Sequence, residues 1–132
     1  MRRQFQLSQE DSEYLEAHGF DWETVVENGV QWVIVRNFPI PPGYNHSSVS
    51  AAVRIDPSYP DTQIDMVYFY PHLSRKDGKP IKALAQQQFD GQNWQRWSRH
   101  RTSKNPWRPG MDNLGTHLTL VTRLLEREFE RA

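Results

Sequence analysis

The sequence predicts an α+β domain with a helix at each end of an antiparallel β-meander. Three observations carry this. Leu114, Leu118, Val121 and Leu125 recur at i, i+4, i+7 and i+11, the apolar stripe of a C-terminal helix. Three runs rich in β-branched and aromatic residues lie between residues 31 and 70. The links between them are short and rich in proline, whereas parallel neighbours would need long crossovers.

At the N-terminus, Ser8 stands three residues before Asp11, near capping-box spacing, and Gly19 supplies a stop. A short helix is expected at about 9–18, with His18 at its C-terminus, where the dipole favours a cation. Residues 20–27 place Trp22, Val25 and Val26 at roughly helical spacing, and an irregular segment accounts for them equally well. Asn28-Gly29 is a turn signal.

Gln31 to Arg36 reads as the first strand. Phe38 to Tyr44 reads as a connection, because Pro39, Pro41 and Pro42 lack the N–H a central strand needs. Ser47 to Ile55 is the second strand, with Val49, Ala51, Val53 and Ile55 on one face at period two. After a turn at 57–61, Ile64 to Tyr70 is the third, apolar on both faces and therefore central. Lys76-Asp77-Gly78-Lys79 is a turn, and residues 81–88 suit a short helical turn. A long Trp/Arg-rich insertion follows, then a helix from Asp112, its N-cap, to Arg131.

A chain of 132 residues is one domain with room for a real core. It has no cysteine, which excludes disulfides, thiolate metal sites and thiol nucleophiles together. No apolar run reaches membrane-spanning length, and the first residues lack the apolar centre of a signal peptide. A cytoplasmic protein with no membrane partner is the expectation. Net charge is zero but unevenly spread: residues 1–72 carry −6, residues 73–109 carry +7 and residues 110–132 carry −1. The basic island suits phosphate, nucleic acid or an acidic protein face, or it simply neutralises the acidic N-terminal part.

Within that island, Asp90 to Gly110 holds Trp94, Trp97 and Trp107 among Arg96, Arg99, Arg101 and Arg108. Tryptophan is seldom placed in a loop without something to cover. Either the segment is a lid pinned to the body by its indoles, or it is a binding surface.

These residues, taken in order, resemble the ubiquitin-conjugating-enzyme fold. Tyr59-Pro60 is similar to that family's Tyr-Pro turn, and Tyr70-Pro71-His72 stands where the family has His-Pro-Asn. Gly78-Lys79-Pro80-Ile81 lies where it has Gly-x-Ile-Cys, and Trp107-Arg108-Pro109 resembles its Trp-Ser-Pro before a long helix. Pro41-Pro42-Gly43-Tyr44 and the Asp90-Gly91 to His100 run bring the chain closer to the prokaryotic ubiquitin-conjugating-like proteins. The resemblance implies partners: a ubiquitin-like protein, its activating enzyme, or both. It implies no cofactor.

The departures define the functional question. Ile81 stands at the approximate place of the thioester cysteine, and an aliphatic side chain cannot form a thioester. Conventional conjugation is therefore excluded. Three readings remain. The first is an accessory module that binds through Trp94, Arg96, Trp97, Arg99, Trp107, Tyr59 and Pro60. The second is non-thioester acyl transfer, with His100 as base or acyl acceptor and Ser98 or Ser103 as a possible oxyester carrier. The third is a nucleic-acid binder whose arginines meet phosphates while Trp94, Trp97 or Trp107 stacks on bases. His46, His72, His100 and His117, with Asp90 or Asp112, show no metal-ligand spacing, so no metal is expected.

Overall fold

The structure is a computed structural model and describes residues 1–130. The order of elements is α1 (Gln9–Ala17), β1 (Asp21–Glu27), β2 (Val30–Pro39), β3 (Ser48–Ile55), β4 (Val67–Tyr70), β5 (Leu84–Phe89), β6 (Gln92–Trp97) and α2 (Leu114–Arg127). A 3-10 turn, Glu128–Glu130, extends α2. The strands form one sheet in the order β1-β2-β3-β4-β6-β5, antiparallel throughout.

Helix α1 begins at Ser8, whose hydroxyl accepts from the Asp11 N–H, and ends at His18, whose ring Nδ1 donates to the Tyr14 carbonyl. Residues 21–27, read as helical or irregular, are a strand. The adjacent turn decides this: Asn28 and Gly29 both have positive φ (52° and 76°), the conformation that joins twisted antiparallel strands in a two-residue hairpin. β1 therefore pairs with β2 from Asp21↔Arg36 to Glu27↔Val30.

Strand β2 runs further than expected, through Phe38 and Pro39, after a bulge between Val35 and Phe38. Pro39 is tolerated because β1 has already stopped opposite Arg36, so no neighbour on that side needs its N–H. β4 is shorter than expected, beginning at Val67 after Met66, which has φ 62°.

The largest correction falls on residues 81–97. The expected helical turn and irregular insertion are in fact the hairpin β5–β6, turned by Asp90 (φ 50°) and Gly91 (φ 71°). The cap of α2 also shifts by one residue. Asn113 caps it, accepting from the Thr116 N–H, and Thr116 Oγ1 accepts from the Asn113 N–H. Asp112 instead accepts from the Arg108 N–H at 2.7 Å, holding the preceding loop. Arg131, the expected helix end, lies outside the described residues.

Two apolar layers flank the sheet. Leu15 of α1 and Leu114, Leu118, Val121 and Leu125 of α2 pack with Val33, Val35, Phe69 and Trp97 on one face. On the other face Trp32, Ile34, Tyr68, Phe89 and Trp94 form a second cluster with no helix over it. Curvature buries this second layer. In a flat sheet β2 and β5 would be four strand spacings apart, roughly 19 Å. Trp32 of β2 nevertheless stacks on Phe89 of β5 with 4.0 Å between ring centroids. The sheet thus curls until its two ends approach. Arg2 clasps both carboxylate oxygens of Asp90 at 2.6 and 2.7 Å, and the Asp90 N–H donates to Glu27 Oε1.

Candidate functional site

Tyr59-Pro60 and Trp107, the motif residues that lie far apart in sequence, meet in space. Trp107 Nε1 donates to the Pro60 carbonyl at 2.9 Å, and its ring lies 6.2 Å from that of Tyr59. The Tyr59 hydroxyl accepts from the Leu114 N–H at 2.7 Å and donates to Asp11 Oδ2 at 2.6 Å. One phenol thus joins the first turns of α1 and α2 to the β3–β4 connection. Burial pushes the Tyr59 hydroxyl well above its ordinary pKa, and burial also raises the Asp11 carboxyl. A cleft of about 270 Å³ lies beside this junction, between the start of α1 and the residues leading into α2.

The chain leaving β4 is clamped through its main chain. Gln95 Oε1 accepts from the Leu73 N–H and Gln95 Nε2 donates to the Leu73 carbonyl, both at 3.0 Å. Trp97 Nε1 donates to the same Gln95 oxygen at 2.8 Å. The chain leaving β4 is thereby fixed against β6. Ile81 is half-buried and packs on the helix-side core. His72, which the resemblance sets beside the family's asparagine, has its Nε2 2.9 Å from the Asn93 carbonyl, so that nitrogen donates to the main chain of β6.

His100 has a partner the sequence did not reveal. Its Nδ1 lies 2.9 and 3.0 Å from the two carboxylate oxygens of Asp65, in an exposed pair at the rim of a cleft. The carboxylate favours the tautomer with hydrogen on Nδ1 and leaves Nε2 as the basic nitrogen, an arrangement suited to proton transfer. No hydrogen bond joins the hydroxyl of Ser98 or Ser103 to the imidazole among the described residues.

Trp94 and Trp97 are each 1% exposed. Three apart in one strand, they point to opposite faces, Trp94 into the second apolar layer and Trp97 into the helix-side core. Neither offers a surface for stacking on a base or a partner. Arg99 donates to Glu128 Oε1 and to the Lys82 carbonyl, tying the chain after β6 to the end of α2. Arg75 does likewise through the Glu128 carbonyl and the Asp77 carboxylate. Arg96 is half-buried on β6, its Nε without a partner. Two arginines of the basic island, Arg75 and Arg99, are therefore engaged within the chain. Arg108 is exposed, 3.8 Å from Asp112, and Trp107 is half-buried.

Among the described residues, no group of three His, Cys, Asp or Glu side chains is placed to hold a metal ion. No helix among them is long and apolar enough to cross a membrane. Asp65 lies 35 residues from His100, and no local signal marks their pairing. The Gln95 clamp sits in β6, where clustered tryptophan and arginine obscure the period-two alternation of a strand.

The sequence model of one family, described as prokaryotic E2 family E, matches residues 7–128. No curated protein and no solved structure matches the chain.

Proposed function

Given that this chain belongs to prokaryotic E2 family E, a ubiquitin-conjugating-like family, we propose that it is a non-covalent accessory component of a ubiquitin-like modification pathway in the prokaryotic cytoplasm. In this role it holds a ubiquitin-like protein, its activating enzyme, or both, without carrying the acyl group. The observation that carries the reading is chemical. The chain matches the family's sequence model over residues 7–128 and has no cysteine, and half-buried Ile81, which the resemblance sets near the thioester position, packs against the core.

The Tyr59–Trp107 junction supports a binding role, because it presents Pro60 and the half-buried Trp107 on a framework fixed by three elements. Affinity capture of the tagged protein from its native cells, with mass spectrometry of what is recovered, tests this. Recovery of a ubiquitin-like protein or activating enzyme, undiminished by His100→Ala, supports the accessory role. Recovery of nucleic acid alone, lost on nuclease treatment, rejects it.

The Asp65–His100 pair favours a second reading, acyl transfer without a thioester on this chain. Here His100 Nε2 takes the proton as the hydroxyl of Ser98 or Ser103 attacks the acyl carbon of an incoming thioester, and passes it to the thiolate that leaves as the C–S bond breaks. A hydroxylamine-sensitive adduct on either serine, absent in His100→Ala, would establish this reading over the first.

A further inference from the structure

The cleft beside His100 contains two polar groups that the fold itself leaves unused. It has a volume of about 190 Å³ and lies between the chain entering β4, the chain leaving β6 and α2. Arg101 forms part of its wall. The Arg101 side chain is only 7% exposed, yet it makes no hydrogen bond to any described residue. Its contacts are Asp112 at 3.7 Å, too long for a hydrogen bond, and the Trp107 ring at 5.1 Å. Its Nε is buried with no acceptor among the described residues, and a buried donor left without one is costly.

His117 of α2 is the second group. It is 4% exposed, and its Nε2 donates to the Met66 carbonyl at 2.8 Å. Its Nδ1 therefore carries a bare lone pair, and no described group donates to it. The same cleft thus has an unanswered donor on Arg101 and an unanswered acceptor on His117. Arg127 also lines it, while Arg99 is paired with Glu128 and the single carboxylate of the lining, Asp65, accepts from His100. Ile64, Val67, Leu120 and Leu124 supply an apolar side.

We propose that this cleft binds a small phosphate monoester carried on an apolar body, with Arg101 as the anchor for the phosphoryl oxygens. A singly protonated phosphoryl group offers acceptor oxygens to Arg101 and one P–OH donor to His117 Nδ1. A carboxylate or sulfate only accepts, and would set lone pair against lone pair at His117. The volume lies below the roughly 300 Å³ at which drug-sized sites begin, so the occupant is small. The inference does not depend on how the protein engages a ubiquitin-like partner.

Calorimetric titration of the full chain at pH 6, at constant ionic strength, tests it with three probes: inorganic phosphate, phenyl phosphate and sulfate. Near that pH about half of a phosphate monoester carries the extra proton. Phenyl phosphate is expected to bind more tightly than inorganic phosphate, and sulfate at least about tenfold more weakly than either. Arg101→Gln is expected to weaken phenyl phosphate by about ten- to hundredfold, the range for losing a hydrogen bond to a charged group. Arg127 is exposed on α2, so Arg127→Gln gives a second test if Arg101→Gln does not fold, with an expected loss of roughly threefold. Absence of saturable binding, equal binding of sulfate, or affinity unchanged in both variants overturns the proposal.

Discussion

Phe89 and Trp32 lie face to face, 7° from parallel, although three strands separate theirs in the sheet. The stack is continued by Trp94 at 4.7 Å from Phe89 and closed edgewise by Tyr68 on Trp32. These rings are the interior of the curl, and they replace the second helix layer that this face lacks. Phe89→Ala is therefore expected to cost about 3–5 kcal/mol, the usual range for removing a buried aromatic. Urea denaturation followed by circular dichroism measures it, and a loss below about 1 kcal/mol would show that the curl does not depend on the stack.

The protein should lose stability on acidification in two successive, slightly overlapping windows. Burial lowers the pKa of His117 to about 4, below the 6.5 of an exposed histidine. The unfolded chain therefore binds this proton first, and stability falls as pH drops from about 6.5 to 4, by at most about 1.4 kcal/mol per pH unit. The Arg2 hydrogen bond, reinforced by Arg36, holds Glu23 at about 2, below its ordinary value of 4.5. Its contribution is present above 4.5 and is lost as pH falls toward 2. Denaturation midpoints across this range should show both declines, with the upper one absent in His117→Asn.

Tyr59→Phe removes the hydroxyl that Asp11 and the Leu114 N–H share. It leaves a buried carboxylate and a helix N-terminal donor without their common partner. The expected destabilisation is about 1–3 kcal/mol. Hydrogen exchange should locate the loss at the first turns of α1 and α2, whereas uniform loss across β1–β3 would argue against the junction.

Gly115→Ala should destabilise even though alanine is the better helix former. A Cβ at Gly115 would come within 2.7 Å of Tyr14 Cδ2 and 3.1 Å of its Cγ, atoms near the root of the ring that cannot swing clear. The contact holds α1 against α2, so thermal unfolding should show a lower midpoint. An unchanged or higher midpoint would mean that the helices separate without penalty.

Where the chemistry is local, the sequence was informative. Ser8 and Asp11, Asn28-Gly29 and the stripe from Leu114 to Leu125 each mark their element through neighbouring residues. The Tyr59-Pro60 and Trp107-Arg108-Pro109 segments were legible through family resemblance, and their contact gives that likeness a physical basis. The β5–β6 hairpin was legible too, since Asp90-Gly91 is as strong a hairpin signal as Asn28-Gly29. The density of tryptophan and arginine masked it, along with the period-two alternation that sends Trp94 and Trp97 to opposite cores. The glutamines of β5 add no β-forming signal of their own. His100 meeting Asp65, and Arg101 left without an acceptor near His117, depend on tertiary packing, and nothing within a few residues encodes either.

The clasp between Arg2 and Asp90 also bears on the order in which the chain assembles. It joins residues 88 positions apart, whereas β1–β2 and β5–β6 close through two-residue turns. Short loops form far sooner than long ones, because the entropy of closure must be met before the contact stabilises anything. The two hairpins should therefore form early, and the seam should close late, after β3 and β4 have brought them together. Substitutions at the seam, such as Arg2→Ala, should then speed unfolding while leaving the refolding rate nearly unchanged.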